Sequence, residues 1–198
     1  MAFVVSFLFS FIPMFMFAVI VYWLDRYEKE PLRLLGGVFL WGAVIAAAGA
    51  FIINTIFGVG IYLVTDSEGT ANMMTGSLIA PIVEEILKGF AVMLIFFIFR
   101  DEFDSVMDGI VYASVAALGF AATENLHYIY NLGYLESGWE GLFSMVLIRD
   151  IVVSWQHPFY TAFTGIGFAL SRLNKNIFIQ FFITDLNFLG LFSSQSSM

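Results

Sequence analysis

The stretch Ala80-Pro81-Ile82-Val83-Glu84-Glu85-Ile86-Leu87-Lys88 decides the fold, because it sets two adjacent carboxylates and an ammonium inside an apolar run with no turn signal nearby. The run extends from Met73 to Phe99, 27 residues, which is long enough to cross a bilayer as a helix. A charge at the centre of such a helix costs about 2.5–3.5 kcal/mol even on lenient insertion scales, so three of them together require partners.

Outward from this stretch the chain stays apolar. Of its 198 residues 60% are hydrophobic and only 12% are charged, and its mean hydropathy is +0.89. That is too little charge for a soluble domain of this size, so the chain reads as an integral membrane protein. No linker, charge block or internal repeat divides it, and residues 1–173 read as one all-α domain, a polytopic membrane helix bundle. The net charge of −8 comes from scattered acids with no basic patch, which argues against nucleic acid as a partner. Cysteine is absent, which removes thiol catalysis, thiolate metal sites and disulfides together.

About five spans are predicted, over residues 3–24, 34–64, 73–99, 106–131 and 142–172, with a partial sixth segment from Ile177 to Phe192 that is short and interrupted by Gln180, Asp185 and Asn187. The first span lacks a basic lead-in and a small-residue cleavage site, so it is expected to be an uncleaved helix. Gly36, Gly37, Gly42 and Gly49 in the second suit close helix packing. Outside the spans, basic residues fall in the loop 25–33 (Arg26, Lys29, Arg33), at Arg100, and at Arg172 and Lys175, while the loops 65–72 and 132–141 have none. This alternation predicts a multi-pass protein of the cell membrane with the 25–33 loop in the cytoplasm and the N-terminus outside.

A helical rise of about 1.5 Å per residue sets Glu84 and Glu85 about 18–20 Å below the outer end of the third span, and His157 about 24 Å below that of the fifth, within one layer. Glu124 and Arg149 come out shallower, both at about 10–12 Å, and opposite charges at one depth are predicted to pair. Ser77, Pro81, Glu84, Glu85 and Lys88 form one helical stripe, and Asp150, Ser154, His157, Thr161 and Thr164 form another. Pro81 and Pro158 each free a carbonyl one turn earlier, which in lipid needs a polar neighbour. These features converge on a small hydrated cavity in mid-membrane. One Glu there would act as general base with the other tied to Lys88, and His157 opposite would hold the water or donate to a developing oxyanion.

Motifs of other intramembrane hydrolases are missing: no G-x-S-x-G, S-x-x-K, H-E-x-x-H or G-x-G-D occurs. Plainer readings stand beside the catalytic one. Glu124 with Arg149 makes a structural ion pair, His127 beside Tyr128 and Tyr130 reads as interfacial, and Asp108 reads as a helix cap. Trp23, Trp139 and the Tyr residues near helix ends read as interface anchors. An ion- or proton-coupled transporter is the rival class, but the chain has no inverted repeat and only one polar layer.

Glu84-Glu85-x-x-Lys88, then Gly119-Phe120-Ala121-Ala122-Thr123-Glu124-Asn125, then His157 in a helix resemble the PrsW family of intramembrane proteases, relatives of the CAAX prenyl proteases and bacterial Abi proteins. The resemblance runs from Tyr22 to Leu173 and includes Asp108-Gly109-Ile110-Val111-Tyr112. It implies cleavage of a single-pass membrane protein, in the best-known members an anti-sigma factor whose loss releases a stress-response sigma factor. Carried over, Glu84 and Glu85 become the catalytic pair, Glu124 and His157 complete the site, and Asn125 is a hydrogen-bonding neighbour. The related CAAX proteases imply glutamate-activated water with no cofactor and no metal; a divalent metal such as zinc at Glu84, Glu124 and His157 is the alternative. The resemblance also implies a further His-bearing span after His157. The tail 174–198 carries no His and reads as the product of a frameshift or early stop, which makes a catalytically inactive, truncated membrane scaffold the alternative function.

Overall fold

The computed structural model describes residues 1–25 and 28–173, and within them every regular element is a helix. Helix α1 (Ala2–Leu24) and helix α2 (Leu32–Thr65) are long and apolar enough to cross a membrane, and so is the stretch Val106–Leu173 that makes up the second half of the bundle. Helix α3 (68–98) lies between them and carries Glu84, Glu85 and Lys88. Helix α4 (Val106–His127) runs on through a π-turn, Tyr128–Tyr134, into α5 (Leu135–Val146), which ends in another π-turn, Leu147–Val152. Helix α6 (Gln156–Leu173) closes the described chain.

The first four predicted spans fall on α1 to α4. The fifth, expected as one helix over 142–172, is two, because the backbone turns at Val153–Trp155 just before Pro158, which cannot donate an amide to the preceding turn. Two segments expected to be loops are mostly helical. Residues 65–72 shrink to Asp66, left-handed at φ 49°, and Ser67, whose hydroxyl accepts the Thr70 amide and caps α3. Residues 132–141 are helical on either side of Gly138, whose φ of 65° with ψ of −147° only glycine adopts readily, and there the chain folds α5 back on the Tyr128–Tyr134 turn. The partial sixth segment, the tail 174–198, Arg26 and Lys175 lie outside the described residues.

Helix α4 is the axis of the bundle. It is buried almost continuously from Asp108 to Ala122 and packs against α1, α2, α3 and α6, as an all-round apolar helix must. Small residues let backbones meet: a Cβ at Gly119 would overlap the Phe39 carbonyl, one at Gly42 the Ala116 carbonyl, and one at Gly109 or Gly165 the carbonyl of the other. Gly36 and Gly37, expected in such contacts, face open space, and Gly49 meets only the Leu87 side chain. Apolar side chains such as Phe15, Ile56 and Leu63 cover the outside of α1 and α2.

At the end of the bundle where α1 joins α2, polar groups fix chain ends. Ser105 and Asp108 form a reciprocal capping box at the start of α4, so Asp108 is a cap. Lys29 donates to the Tyr22 and Asp25 carbonyls at the end of α1. Glu30, buried, accepts the Tyr112 hydroxyl. Burial pushes the Glu30 carboxyl up to about 8, with Asp108 and Asp25 adding to the rise and the Tyr112 hydrogen bond opposing it.

Candidate active site

Four helices bring the candidate residues together. In α3 a π-turn over Thr75–Ile79 widens the backbone ahead of Pro81, absorbing the proline at the start of the Ala80–Ile98 segment and turning Glu84, Glu85 and Lys88 inward. Lys88 is the hub. It is 1% exposed, with Nζ 2.8 Å from Glu85 Oε1 and 3.6 Å from Glu84 Oε2. The same ammonium lies 3.1 Å from His157 Nδ1 and 4.2 Å above the Phe120 ring. The second oxygen of Glu85 accepts the Thr161 hydroxyl at 2.9 Å, so that carboxylate is held on both sides.

His157 joins the two halves of the cluster, its Nε2 lying 2.9 Å from Glu124 Oε2. An ammonium only donates, so Nδ1 must accept from Lys88 and the Nε2–H must donate to Glu124; the hydrogen-bond network assigns this tautomer. Glu124 also pairs with the Arg149 guanidinium, as the shared depth predicted. Arg149 Nε donates to Asn125 Oδ1 at 2.8 Å, and the guanidinium lies 4.3 Å over the Tyr128 ring. Asn125 in turn donates to Asp150 at 3.0 Å.

A cavity of about 370 Å³ opens on this cluster, lined by Glu84, Glu85, Lys88, Glu124, Arg149 and His157 together with Ser77, Gln156 and Tyr160. Three carboxylates therefore face two cations. Glu84 is the least committed of the three: its charged partner is Lys88 at 3.6 Å, and it is the carboxylate of the pair with the more exposed side chain, 18% against 10%.

Several expectations change. Glu124 and Arg149 are in direct contact with the His157 and Lys88 layer and are not a shallower tier. The π-turns in α3, after α4 and after α5 alter the rise per residue, which a straight-helix depth scale ignores. The His157 N–H is spent on Glu124 and does not face the cavity as a free oxyanion donor. The stripe from Asp150 to Thr164 is cut by the turn at 153–155, so Asp150 meets Asn125 while Thr161 meets Glu85. Tyr128, read as an interface anchor, lies under Arg149 and lines the cavity; its signal was its place one turn after Glu124. His127 is exposed and bonds Asn131 at 2.9 Å, away from the cluster.

The proposed metal set of Glu84, Glu124 and His157 does not fit this arrangement. Both ring nitrogens of His157 are engaged, Glu124 is paired to Arg149, and Glu84 faces an ammonium. Among the described residues no group of three His, Asp or Glu stands in a metal-holding arrangement.

Residues 30–186 match the family described as "PrsW family intramembrane metalloprotease". The chain belongs to the PrsW family. With its apolar helices it is a multi-pass membrane protein. It is 37% identical over 149 residues to "Protease PrsW" of Geobacillus kaustophilus, covering 75% of this chain and 58% of that protein. It is 32% identical over 130 residues to "Protease PrsW" of Clostridioides difficile, covering 61% of this chain and 52% of the relative. A third PrsW protease, from Bacillus subtilis, is 30% identical over 109 residues, 55% of this chain and 46% of its own length. The chain thus spans about half the length of the curated relatives it matches. No solved structure matches it.

Proposed function

We propose that this chain hydrolyses a peptide bond of a single-pass, anti-sigma-factor-like membrane protein inside the bilayer, with Glu84, Glu85, Glu124 and His157 as its site. The observation that carries the reading is Glu84, a carboxylate on the polar cavity whose ion-pair partner among the described residues, Lys88, is 3.6 Å away. Glu84 takes a proton from water as the water oxygen bonds the scissile carbonyl carbon, then returns that proton to the departing amine as the C–N bond breaks. Lys88 and Arg149 supply the positive charge against which the oxyanion develops. Glu85, held by Lys88 and Thr161, fixes the Lys88 position, while Glu124 orients His157. The family match supports peptide hydrolysis as the reaction class.

The test is to express the chain with an anti-sigma factor from the same genome and follow cleavage by blot. Glu84→Gln, Glu85→Gln and His157→Ala are compared with wild type at equal membrane abundance. Loss of the general base is expected to slow cleavage about 10²–10⁴-fold. Undiminished cleavage by Glu84→Gln sinks the mechanism, and an abundant, folded wild type that cleaves nothing a full-length relative cleaves sinks the function.

The same reading places the 25–33 loop in the cytoplasm and the N-terminus outside, on the strength of the basic-residue alternation. The chain carries no cysteine, so single cysteines introduced at the exposed Glu28 and Glu136 report sidedness directly. The alternation puts the 132–141 segment on the same side as the N-terminus, so an impermeant maleimide added to intact cells should label position 136 and spare position 28; the opposite pattern reverses the orientation.

A further inference from the structure

A second cavity, of about 580 Å³, lies between α2 and α4 on the other side of the carboxylates. Ala43, Ala47 and Ala50 of α2 and Phe120 of α4 form its apolar walls. It shares Glu84, Glu124 and Tyr128 with the polar cavity, so the two voids meet at the proposed reacting atoms. Val44 and Phe51, 56% and 70% exposed, flank its mouth on the apolar outer face of α2, so it opens sideways toward lipid.

Polar groups inside identify what it takes. Thr123 is satisfied, its hydroxyl donating to the Ala43 carbonyl at 2.6 Å. Asn54 Oδ1 is buried and has no hydrogen-bond partner among the described residues. An acyl chain brings no donor to that oxygen, and an intact transmembrane helix has its amides bonded within itself. An unwound peptide brings free amides, which in lipid must themselves find acceptors.

We infer that the α2–α4 groove is the subsite that seats an apolar side chain of the substrate beside the scissile bond, with Asn54 accepting a backbone amide of the unwound segment. This rests on the protease reading above. The alanines set the width: Ala47, half-buried on the wall, leaves room for a large side chain where a bulkier residue would fill the space itself.

The experiment uses the full chain in membranes and the anti-sigma-factor-like substrate in two versions, with Ala or with Phe at the residues flanking the cleaved bond. Ala47→Phe should lower cleavage of the Phe version about tenfold or more relative to the Ala version. Asn54→Leu should slow both versions, and Ile45→Phe, on the exposed face outside the groove, should change neither. A photo-crosslinking residue at position 51 of the Glu84→Gln chain should capture the substrate's spanning segment, a readout independent of whether Ala47→Phe folds. Wild-type cleavage with an unchanged Phe-to-Ala ratio and no capture overturns the groove alone. A wild type that cleaves neither version overturns the protease reading, and the groove with it.

Discussion

Two polar regions of this bundle bury carboxylates, and they differ in what is left over. Where α1 joins α2, both oxygens of Asp108 accept from Ser105 or its neighbouring amides, and Glu30 takes the Tyr112 hydroxyl in a place where Tyr112 is fully buried. Those groups close helix ends and tie a loop to the central helix. In the cavity between α3, α4 and α6, Glu84 faces a void with one distant ionic partner among the described residues, and three carboxylates share two cations. Burial of charge alone does not mark a reactive site. Unused hydrogen-bonding capacity beside open space does.

The contrast can be broken at the Glu124–Arg149 pair, where the largest effect is expected. Arg149→Leu leaves the half-buried Glu124 without its guanidinium, though still bonded to His157, and should cost about 1–3 kcal/mol, whereas Glu124→Leu with Arg149→Leu should recover most of that loss. Unfolding in mixed detergent micelles measures both. Additive losses in the double variant would mean that the two groups are not coupled.

A smaller effect sharpens the other side. The Glu30 carboxyl, ordinarily near 4.5, is raised to about 8 by burial, so the folded chain holds a proton there that the unfolded chain has released. That stability is fully present below about pH 4.5 and is lost as pH rises toward 8. The groups facing it are Tyr112, Asp108 and Asp25. Glu30→Gln, which mimics the protonated form, should flatten the decline of thermal stability between pH 5 and 8 while leaving cleavage intact, and an unaltered slope would assign the decline to other groups.

Much of this was legible from residue spacing. The apolar runs mark α1 to α4 to within a few residues, and the common sign logic of depth finds the Glu124–Arg149 pair. Asp108 as a cap follows from Ser105 three residues before it. What spacing hides is the irregular backbone. The π-turns at Thr75–Ile79, Tyr128–Tyr134 and Leu147–Val152 have no sequence signature, so Glu124 came out a layer too shallow and Tyr128 was assigned to the interface. Pro158 hinted at the break at Val153–Trp155, but a proline alone does not say whether a helix bends or stops. The α2–α4 groove was also hidden, since a row of alanines reads equally well as close packing or as a space left empty.

The break before His157 has an electrostatic consequence of its own. It makes α6 begin inside the bundle, with Gln156 and His157, its first two residues, on the wall of the polar cavity. The starting end of a helix carries a partial positive charge of about half a unit, and here that end borders the polar cavity. The backbone itself thereby offsets part of the carboxylate excess around Glu84, with no added lysine or arginine.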